Sequence, residues 1–531
     1  MNTRGPGILS ENSCCDFLVC VSLANLCLLR IWGAILDGDK AVYFATASYS
    51  SIDYIAVLLN LSLLTTFFYA GLRLARIFVS RFVRSIFELA FLAAFMPLFD
   101  FVRRYCGVSY VIFLKHGILT FSIYAALATV LLFIVRKRLC RVGYVLLLYV
   151  SPFALLTIAQ AAYLLARSSF PAADMMVAGN VHGASKPAKG PRVIWILFDE
   201  WDEAATFLHR PKGITLRNID AFSKAALVAS NAYPPGGNTE ISIPSLLTGQ
   251  YLLEVKPQGF GKLMIRTIRD SRLRDFRDTE NLFTLFSTLR GGLAVAGWFH
   301  PYSQLVPPGL NIAVLSEPVA QLQGFRGVGI MDSMYMQARF SFAPFKAETA
   351  CLSSFSRIHT FALDAIGDPS VRVLYLHYNI PHYPGIYDPR SGQLSLRFES
   401  ADKSYFDNLQ LVDRVIGEDL ARLDATGLRE STTLILSSDH WRRDSQLVDG
   451  LRDHRIPIMI QFPGERKAMV FEPRINSVHT LQIIRGVMSG ALDGQSTLVN
   501  FLKSYQTGVE YRDFHYDAQG YLRIDNHDVV Q

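Results

Sequence analysis

The sequence has few charged residues and few cysteines for its length. Only 18% of its 531 residues are charged, whereas 50% are hydrophobic, and this balance excludes a disordered or collagen-like chain. Six of the seven cysteines lie before residue 170, and Cys351 is the only one that follows. The later part of the chain therefore cannot form an internal disulfide, so its stability must come from a hydrophobic core or a bound metal.

Long apolar runs are concentrated in the first third of the chain and account for most of its mean hydropathy of +0.24. Five runs, at 17–36, 54–72, 82–102, 117–135 and 142–166, are close to or above the ~20 residues that cross a hydrocarbon core. The first run lacks a following small-residue cleavage pattern, so a removable signal peptide does not explain it. We therefore predict an α-helical membrane domain of five spans over residues 1–166.

Basic residues indicate the orientation of these spans, because Lys and Arg are enriched in cytoplasmic loops. Two predicted loops carry four each: Arg73, Arg76, Arg81 and Arg84 between spans two and three, and Arg136, Lys137, Arg138 and Arg141 between spans four and five. An odd number of spans then places everything after residue 166 outside the cytoplasm. The net charge of +7 is consistent with these loops, so we predict no nucleic-acid partner.

After residue 166 the chain changes character. Residues 167–190 are small and polar, which is typical of a linker, and we predict a folded domain over 191–510 and a polar tail of unassigned role over 511–531. Four continuous apolar runs, VIWILF, VRVLYL, TLIL and IPIMIQF, are typical of strands buried on both faces of a sheet. Helix-like segments such as 405–423 alternate with them, and this alternation predicts an α/β sandwich.

Acidic and imidazole side chains follow three of these predicted strands. They are Asp199 and Glu200 after VIWILF, His377 and His382 after VRVLYL, and Asp439 and His440 after TLIL. One acid after a strand is commonly a helix N-cap. Three such strand ends in one domain instead favour a ligand site beyond the carboxyl edge of the sheet. Oxygen and nitrogen donors of this kind suit Zn²⁺ or Mn²⁺.

A loop rich in proline and glycine precedes a helix-compatible run at 234–249, PPGGNTEISIPSLLTG. Thr239 is either an N-cap alone or a hydroxyl placed where a phosphate binds at a helix N-terminus. A metal on that oxygen would lower its pKa and make it a nucleophile. A lesser candidate is His454, which could be a ligand, a phosphate contact or a surface residue. His300 could line the cleft, and Arg442 and Arg443 could bind an anionic substrate.

Four motifs in this order resemble the sulfatase-like branch of the alkaline phosphatase superfamily. They are FDE at 198–200, PPGGNT followed by SIPSLLTG, HYNIPH at 377–382 and SSDH at 437–440, and the resemblance covers about 193–464. Sulfatases carry a cysteine ten residues before the glycine of LLTG, and Thr239 occupies that position here, which disfavours sulfate-ester hydrolysis. Threonine there is similar to membrane-bound phosphoethanolamine transferases and lipoteichoic acid synthases, which also place five spans before an extracytoplasmic catalytic domain.

The resemblance implies a role for each motif residue. The implied metal ligands are Asp199 or Glu200, Asp439, His440 and the Thr239 hydroxyl, and the implied substrate-side histidines are His377 and His382. The transferases and synthases have a single Glu after the first strand, so which of Asp199 and Glu200 binds the metal stays open. The disulfides of the phosphoethanolamine transferases are absent from this chain.

These inferences predict an integral membrane protein with a catalytic domain on the periplasmic side. The predicted activity moves a phosphoethanolamine or glycerophosphate head group from a phospholipid donor to an envelope glycan or lipid acceptor, through a phospho-threonine intermediate. Tethering at the bilayer favours transfer, because the domain then meets lipid donors at a high effective concentration. The alternatives are a sulfatase-like phosphodiesterase that uses water as the acceptor, and a non-catalytic envelope protein that binds head groups.

Overall fold

The computed structural model describes most of the chain. The described residues are 13–36, 43–44, 50–77, 80–105, 118–167, 190–287, 292–307, 310, 312–318, 329–342, 346–397, 399–444, 453–505 and 514–524. Almost all of the predicted linker 167–190, and parts of the predicted tail 511–531, lie outside these residues. The chain divides into two compact units, Met1–Asp174 with Gln321–Lys346, and Met175–Ala320 with Ala347–Gln531.

The first unit is helical in its described residues. Its helices are Ser13–Cys27, Leu29–Leu36, Ser51–Ile77, Arg81–Ala93, Met96–Tyr105, Ile118–Arg167 and Ile330–Phe342. Three stretches, Ser51–Ala75, Phe82–Val102 and Ser122–Ala166, are long and apolar enough to cross a membrane. The first two helices, bent by 67° relative to each other, are a fourth candidate span.

The described residues thus offer three or four candidate spans, and the five spans that the hydropathy pattern predicts are not confirmed. The difference lies at 136–141, where the structure has one continuous helix, Ile118–Arg167, in place of a loop. The basic segment contains no glycine or proline that would end a helix. Arg136 within it pairs with Glu88 of a neighbouring helix at 2.9 Å, so a charge that suggested a loop is neutralised on a helix.

The second unit contains an eight-stranded mixed sheet in the order β14-β2-β13-β12-β1-β9-β7-β8. The strands are β1 Arg192–Asp199, β2 Leu227–Ala229, β3 Ala232–Tyr233, β4 Leu252–Pro257, β5 Leu263–Thr267, β6 Asp270–Asp275, β7 Gly292–Phe299, β8 Ala313–Pro318, β9 Val371–Pro381, β10 Gly385–Asp388, β11 Gln393–Arg397, β12 Thr432–Ser438, β13 Ile458–Gln461, β14 Met469–Phe471, β15 Ile475–Asn476, β16 Phe514–Tyr516 and β17 Leu522–Ile524. The α/β class predicted for this part of the chain is confirmed, and all four predicted strands are present as β1, β9, β12 and β13.

Helices cover this sheet and bury its apolar side chains. They are Arg217–Ser223, Thr239–Thr248, Leu282–Phe286, Tyr302–Leu305, Lys346–Gly367, Ala401–Ala425, Thr480–Ser489 and Gln495–Ser504. The helix predicted at 405–423 is Ala401–Ala425, and its Leu409, Val412 and Val415 pack in one hydrophobic cluster with Ile194 and Ile196 of β1. Because β1 lies between the parallel strands β12 and β9, three carboxyl strand ends meet at the centre of one sheet edge.

Candidate active site

Strand register brings two carboxylates and an imidazole together at that edge. Phe198 on β1 is the register partner of Ser438 on β12, so the residues that follow, Asp199 and then Asp439 with His440, leave the sheet side by side. All three are fully buried. Their ligand atoms lie within 4.8 Å of one another, and they form the candidate metal-binding group among the described residues.

Thr239 approaches this group from the first residue of the helix Thr239–Thr248. Its Oγ1 lies 3.3 Å from Nε2 of His440 and 3.5 Å from Oδ1 of Asp199. The helix cap is Asn238, whose side chain accepts a hydrogen bond from the Ile241 backbone N–H at 3.1 Å. The N-cap role considered for Thr239 therefore belongs to its neighbour, and the threonine hydroxyl faces the acidic group.

The chemistry of this donor set fits a divalent cation. Oδ2 of Asp199 and Oδ2 of Asp439 are buried and accept no hydrogen bond, an arrangement that costs free energy unless a positive charge offsets it. Burial, together with the charges of Asp439 and Glu200, raises the pKa of Asp199 well above its usual range. Carboxylate oxygens and a neutral imidazole are ligands that Zn²⁺ and Mn²⁺ accept.

The side chains of Asp199 and Glu200 have different neighbours. This difference bears on which of the two would bind the metal, a choice that the sequence left open. Glu200 has a φ of +63°, an uncommon left-handed conformation for a residue with a side chain, and its carboxylate accepts a hydrogen bond from Nε of Arg443 at 2.6 Å. Burial alone would raise the pKa of Glu200, but the charges of His382 and Arg443 outweigh it and lower that pKa. The geometry favours Asp199 as the ligand and leaves Glu200 paired with an arginine.

The two histidines of HYNIPH also differ from each other. His377 is fully buried, with Nε2 at 3.8 Å from Oδ2 of Asp439 and Nδ1 at 3.0 Å from the Tyr302 hydroxyl. Burial lowers the pKa of His377 to about 4, so the ring is neutral. His382 has a side chain that is 23% exposed and lies 4.0 Å from Glu200. Of the pair, His382 is the one that a substrate can reach.

His300 and His454 lie beside the group without joining it. The His300 ring is buried, and its Nε2 lies 3.2 Å from the backbone carbonyl of Thr239. The ring of His454 packs against Trp441 and Tyr516, with centroid distances of 4.2 and 5.2 Å. His300 therefore contacts the backbone of the candidate ligand Thr239, and His454 packs against Trp441, the residue that follows the candidate ligand His440.

Arg442 and Arg443, which the sequence analysis gave the same candidate role, have different surroundings in the structure. Arg442 is buried, pairs with Asp402 and covers the ring of Tyr405 at 4.4 Å. The side chain of Arg443 is 54% exposed, pairs with Glu200 at 2.6 Å and lies 3.1 Å from Nε2 of His382. Only Arg443 presents a positive charge at the open side of the site, where an anionic group would arrive.

The hairpin β16–β17, in the tail without an assigned role, holds the loop that precedes Thr239. Gly237 N–H donates to the carbonyl of Gly520 at 2.8 Å, and Asn238 Nδ2 donates to the carbonyl of Gln519 at 2.8 Å. The Tyr516 hydroxyl donates to the carbonyl of Pro234 at 2.7 Å. Sequence reasoning missed this support because contacts between segments almost 300 residues apart leave no local pattern.

The central parallel strands of the sheet thus carry an acidic, histidine-containing group at their carboxyl edge, and a threonine faces this group from a neighbouring helix. Residues 354–491 match the Sulfatase family, which confirms the predicted resemblance. No curated protein matches the sequence significantly.

Several solved structures resemble the chain. Lipoteichoic acid synthase LtaP from Listeria monocytogenes is 12% identical over 57% of this chain and 74% of its own, with a TM-score of 0.38. Phosphonate monoester hydrolase of Agrobacterium radiobacter is 12% identical over 54% and 71%, with a TM-score of 0.36. The PsFucS1 sulfatase from Pseudoalteromonas sp. is 15% identical over 64% and 77%, with a TM-score of 0.41.

Proposed function

We propose that the chain is a membrane-anchored, metal-dependent transferase that moves a phosphoethanolamine or glycerophosphate head group from a phospholipid to an envelope glycan or lipid. One observation carries the proposal. The Thr239 hydroxyl lies within 3.5 Å of both Asp199 and His440, while Asn238 caps the helix. A threonine kept free of capping and directed at two buried candidate ligands is suited to act as a nucleophile.

The residues that would hold the cation are Asp199, Asp439, His440 and Thr239. A bound Zn²⁺ or Mn²⁺ would supply positive charge next to the phosphoryl oxygens and would lower the pKa of the Thr239 hydroxyl. Glu200 is not needed as a ligand in this arrangement, because its carboxylate already pairs with Arg443.

The remaining steps depend on side chains of the chain itself. Oγ1 of Thr239 attacks phosphorus and gives up its proton, through solvent, to Nε2 of His382, and the bond from phosphorus to the diacylglycerol oxygen breaks. Nε2 of His382, which accepts a hydrogen bond from Arg443 at 3.1 Å in the structure, would pass that proton to the diacylglycerol oxygen, and Arg443 binds the anionic group in transit. An acceptor hydroxyl or phosphate then attacks the phospho-threonine and restores Thr239.

Transfer is preferred to hydrolysis because of the apolar helices of the first unit. Three candidate spans, or four, would hold the catalytic domain at a bilayer surface, where lipid donors have a high effective concentration. The second candidate is a sulfatase-like phosphodiesterase that follows the same first step and passes the group to water.

The test uses full-length protein and phospholipid labelled in the head group, without an acceptor. We expect diacylglycerol release and a head-group adduct on the peptide that contains Thr239, detected by mass spectrometry. Thr248→Ala is a matched control, since Thr248 lies on the same helix and its hydroxyl bonds only to helix carbonyls. Steady release of the free head group would favour the hydrolase, and no release from any phospholipid would refute both activities.

A further inference from the structure

One helix of the first unit comes from a distant part of the sequence. Helix Ile330–Phe342 follows strand β8, and residues Gln321–Lys346 group with the N-terminal helices rather than with the sheet unit that precedes and follows them. The expected uninterrupted domain over 191–510 thus contains a segment that packs elsewhere. This placement indicates that the helix acts within the first unit.

The face by which this helix packs is mostly polar, with Phe340 as its buried apolar residue. Ser333 and Gln337 are fully buried. The Gln337 amide accepts a hydrogen bond from Asn60 Nδ2 at 3.1 Å and donates one to the Asp53 carbonyl at 2.9 Å. Asn60 Nδ2 also donates to the carbonyl of Met334 at 3.1 Å. Amide side chains that bond across helices in this way are a recognised means of helix association in membranes.

The opposite face of the same helix is apolar and exposed. Met331, Tyr335 and Phe342 are 77%, 63% and 49% exposed, and their spacing of four and seven residues places them on one side. Asp332 and Arg339, seven residues apart and also exposed, form a charged strip along the edge of that side. A helix on a water-soluble protein shows the reverse arrangement, with its apolar side toward the core.

The neighbouring candidate span also exposes apolar side chains. On helix Ser51–Ile77, Leu59, Leu63 and Phe67 are 42%, 63% and 70% exposed, while Asn60 of the same helix binds Gln337. Two helices that pack against each other therefore both expose side chains suited to hydrocarbon. The 13 residues of helix Ile330–Phe342 cover about 20 Å, too short for a hydrocarbon core of about 30 Å.

We propose that helix Ile330–Phe342 lies in the membrane–water interface and contacts the acyl chains of the bilayer through Met331, Tyr335 and Phe342. Asp332 and Arg339 then face water and the head groups. A helix with one apolar side, a charged edge and insufficient length to span is typical of interfacial helices. The proposal rests on the membrane anchoring that is part of the proposed function, and its occupant is the lipid itself.

The test places a photoreactive benzoylphenylalanine at single positions of the full-length protein in phosphatidylethanolamine–phosphatidylglycerol vesicles. Tyr335 is the test position, Arg339 is the matched control on the charged edge, and Phe67 on the candidate span is the control for membrane insertion. After irradiation, lipid adducts are quantified by mass spectrometry. We expect adducts at Phe67 and Tyr335, with several-fold fewer at Arg339.

The outcomes separate this proposal from the one on which it rests. Adducts at Phe67 without adducts at Tyr335 would overturn the interfacial helix while leaving membrane anchoring intact. A crosslink from Tyr335 to a second copy of the chain would also overturn it. Absence of adducts at Phe67 as well would overturn the membrane anchoring and the interfacial helix together. None of these readouts depends on catalytic activity.

Discussion

Replacing Thr239 with alanine separates a chemical role from a structural one. The side chain is 5% exposed, and its hydroxyl lies 3.3 Å from Nε2 of His440 and 3.5 Å from Oδ1 of Asp199. Losing such contacts lowers the free energy of unfolding by about 1 kcal/mol. The loss is not larger, because the helix keeps its cap from Asn238. A change of this size shifts the ratio of folded to unfolded protein roughly fivefold, which leaves the protein folded.

The effect on turnover should be far larger. Loss of a covalent nucleophile lowers kcat by roughly 10⁶-fold, or about 8 kcal/mol in activation free energy, and no destabilisation of about 1 kcal/mol can imitate that. The assay is release of diacylglycerol from labelled phospholipid, normalised to the folded fraction. Thr239→Ser should keep part of the activity, because serine supplies the same oxygen.

Asn238→Ala provides the matched comparison. It removes the cap, which costs about 1 kcal/mol, and it removes the hydrogen bond to the Gln519 carbonyl, but it keeps the nucleophile. We expect lower thermal stability than in Thr239→Ala together with much higher residual turnover. Substantial turnover in Thr239→Ala, or equal losses in the two variants, would refute the assignment of Thr239 as nucleophile.

Three further predictions concern the metal, the tail and a buried acid. Asp439→Ala should abolish bound metal and activity while membrane insertion is kept, and full metal occupancy by elemental analysis would contradict it. Deletion of 514–531 should lower turnover while the Thr239 adduct still forms slowly, because the hairpin supports the loop without supplying the nucleophile; unchanged turnover would contradict this. Burial raises the pKa of Glu203 to about 8, so the folded state loses stability as pH rises from its ordinary pKa of 4.5 toward 8. Glu203→Gln should therefore raise the unfolding temperature at pH 8 and change it little at pH 5, and an equal shift at both would argue against the assigned protonation.

The parts of the fold that were predictable are those with a local signal. The four apolar runs became β1, β9, β12 and β13 because a buried strand needs apolar side chains on both faces. Asp199, Asp439 and His440 lie at strand ends as predicted, whereas β9 continues to Pro381, so His377 lies inside that strand and not after it. The helix through 136–141 was not predictable in this way. Its basic residues indicate a loop, whereas the pairing of Arg136 with Glu88 depends on a neighbouring helix.

Helix Ile330–Phe342 and the hairpin β16–β17 escaped prediction for a related reason. Each acts through contacts with residues far away in the chain, such as Gln337 with Asn60 and Gln519 with Asn238. Neither contact leaves a period or a spacing that the sequence alone displays. Tertiary packing decides where such segments lie, and it overrides the local expectation of a single continuous domain or of an unstructured tail.

The doublet Asp199-Glu200 illustrates how one strand end can serve two sides of a site. β1 runs in register with β12 up to Phe198, so Asp199 emerges next to Asp439 on the buried side. The left-handed backbone at Glu200 then turns its carboxylate toward Arg443 and His382, which are partly exposed. Residues held in this conformation cluster at functional sites. The first acid is thus suited to hold a cation, and the second to orient Arg443 and His382, the side chains at the partly exposed side of the site.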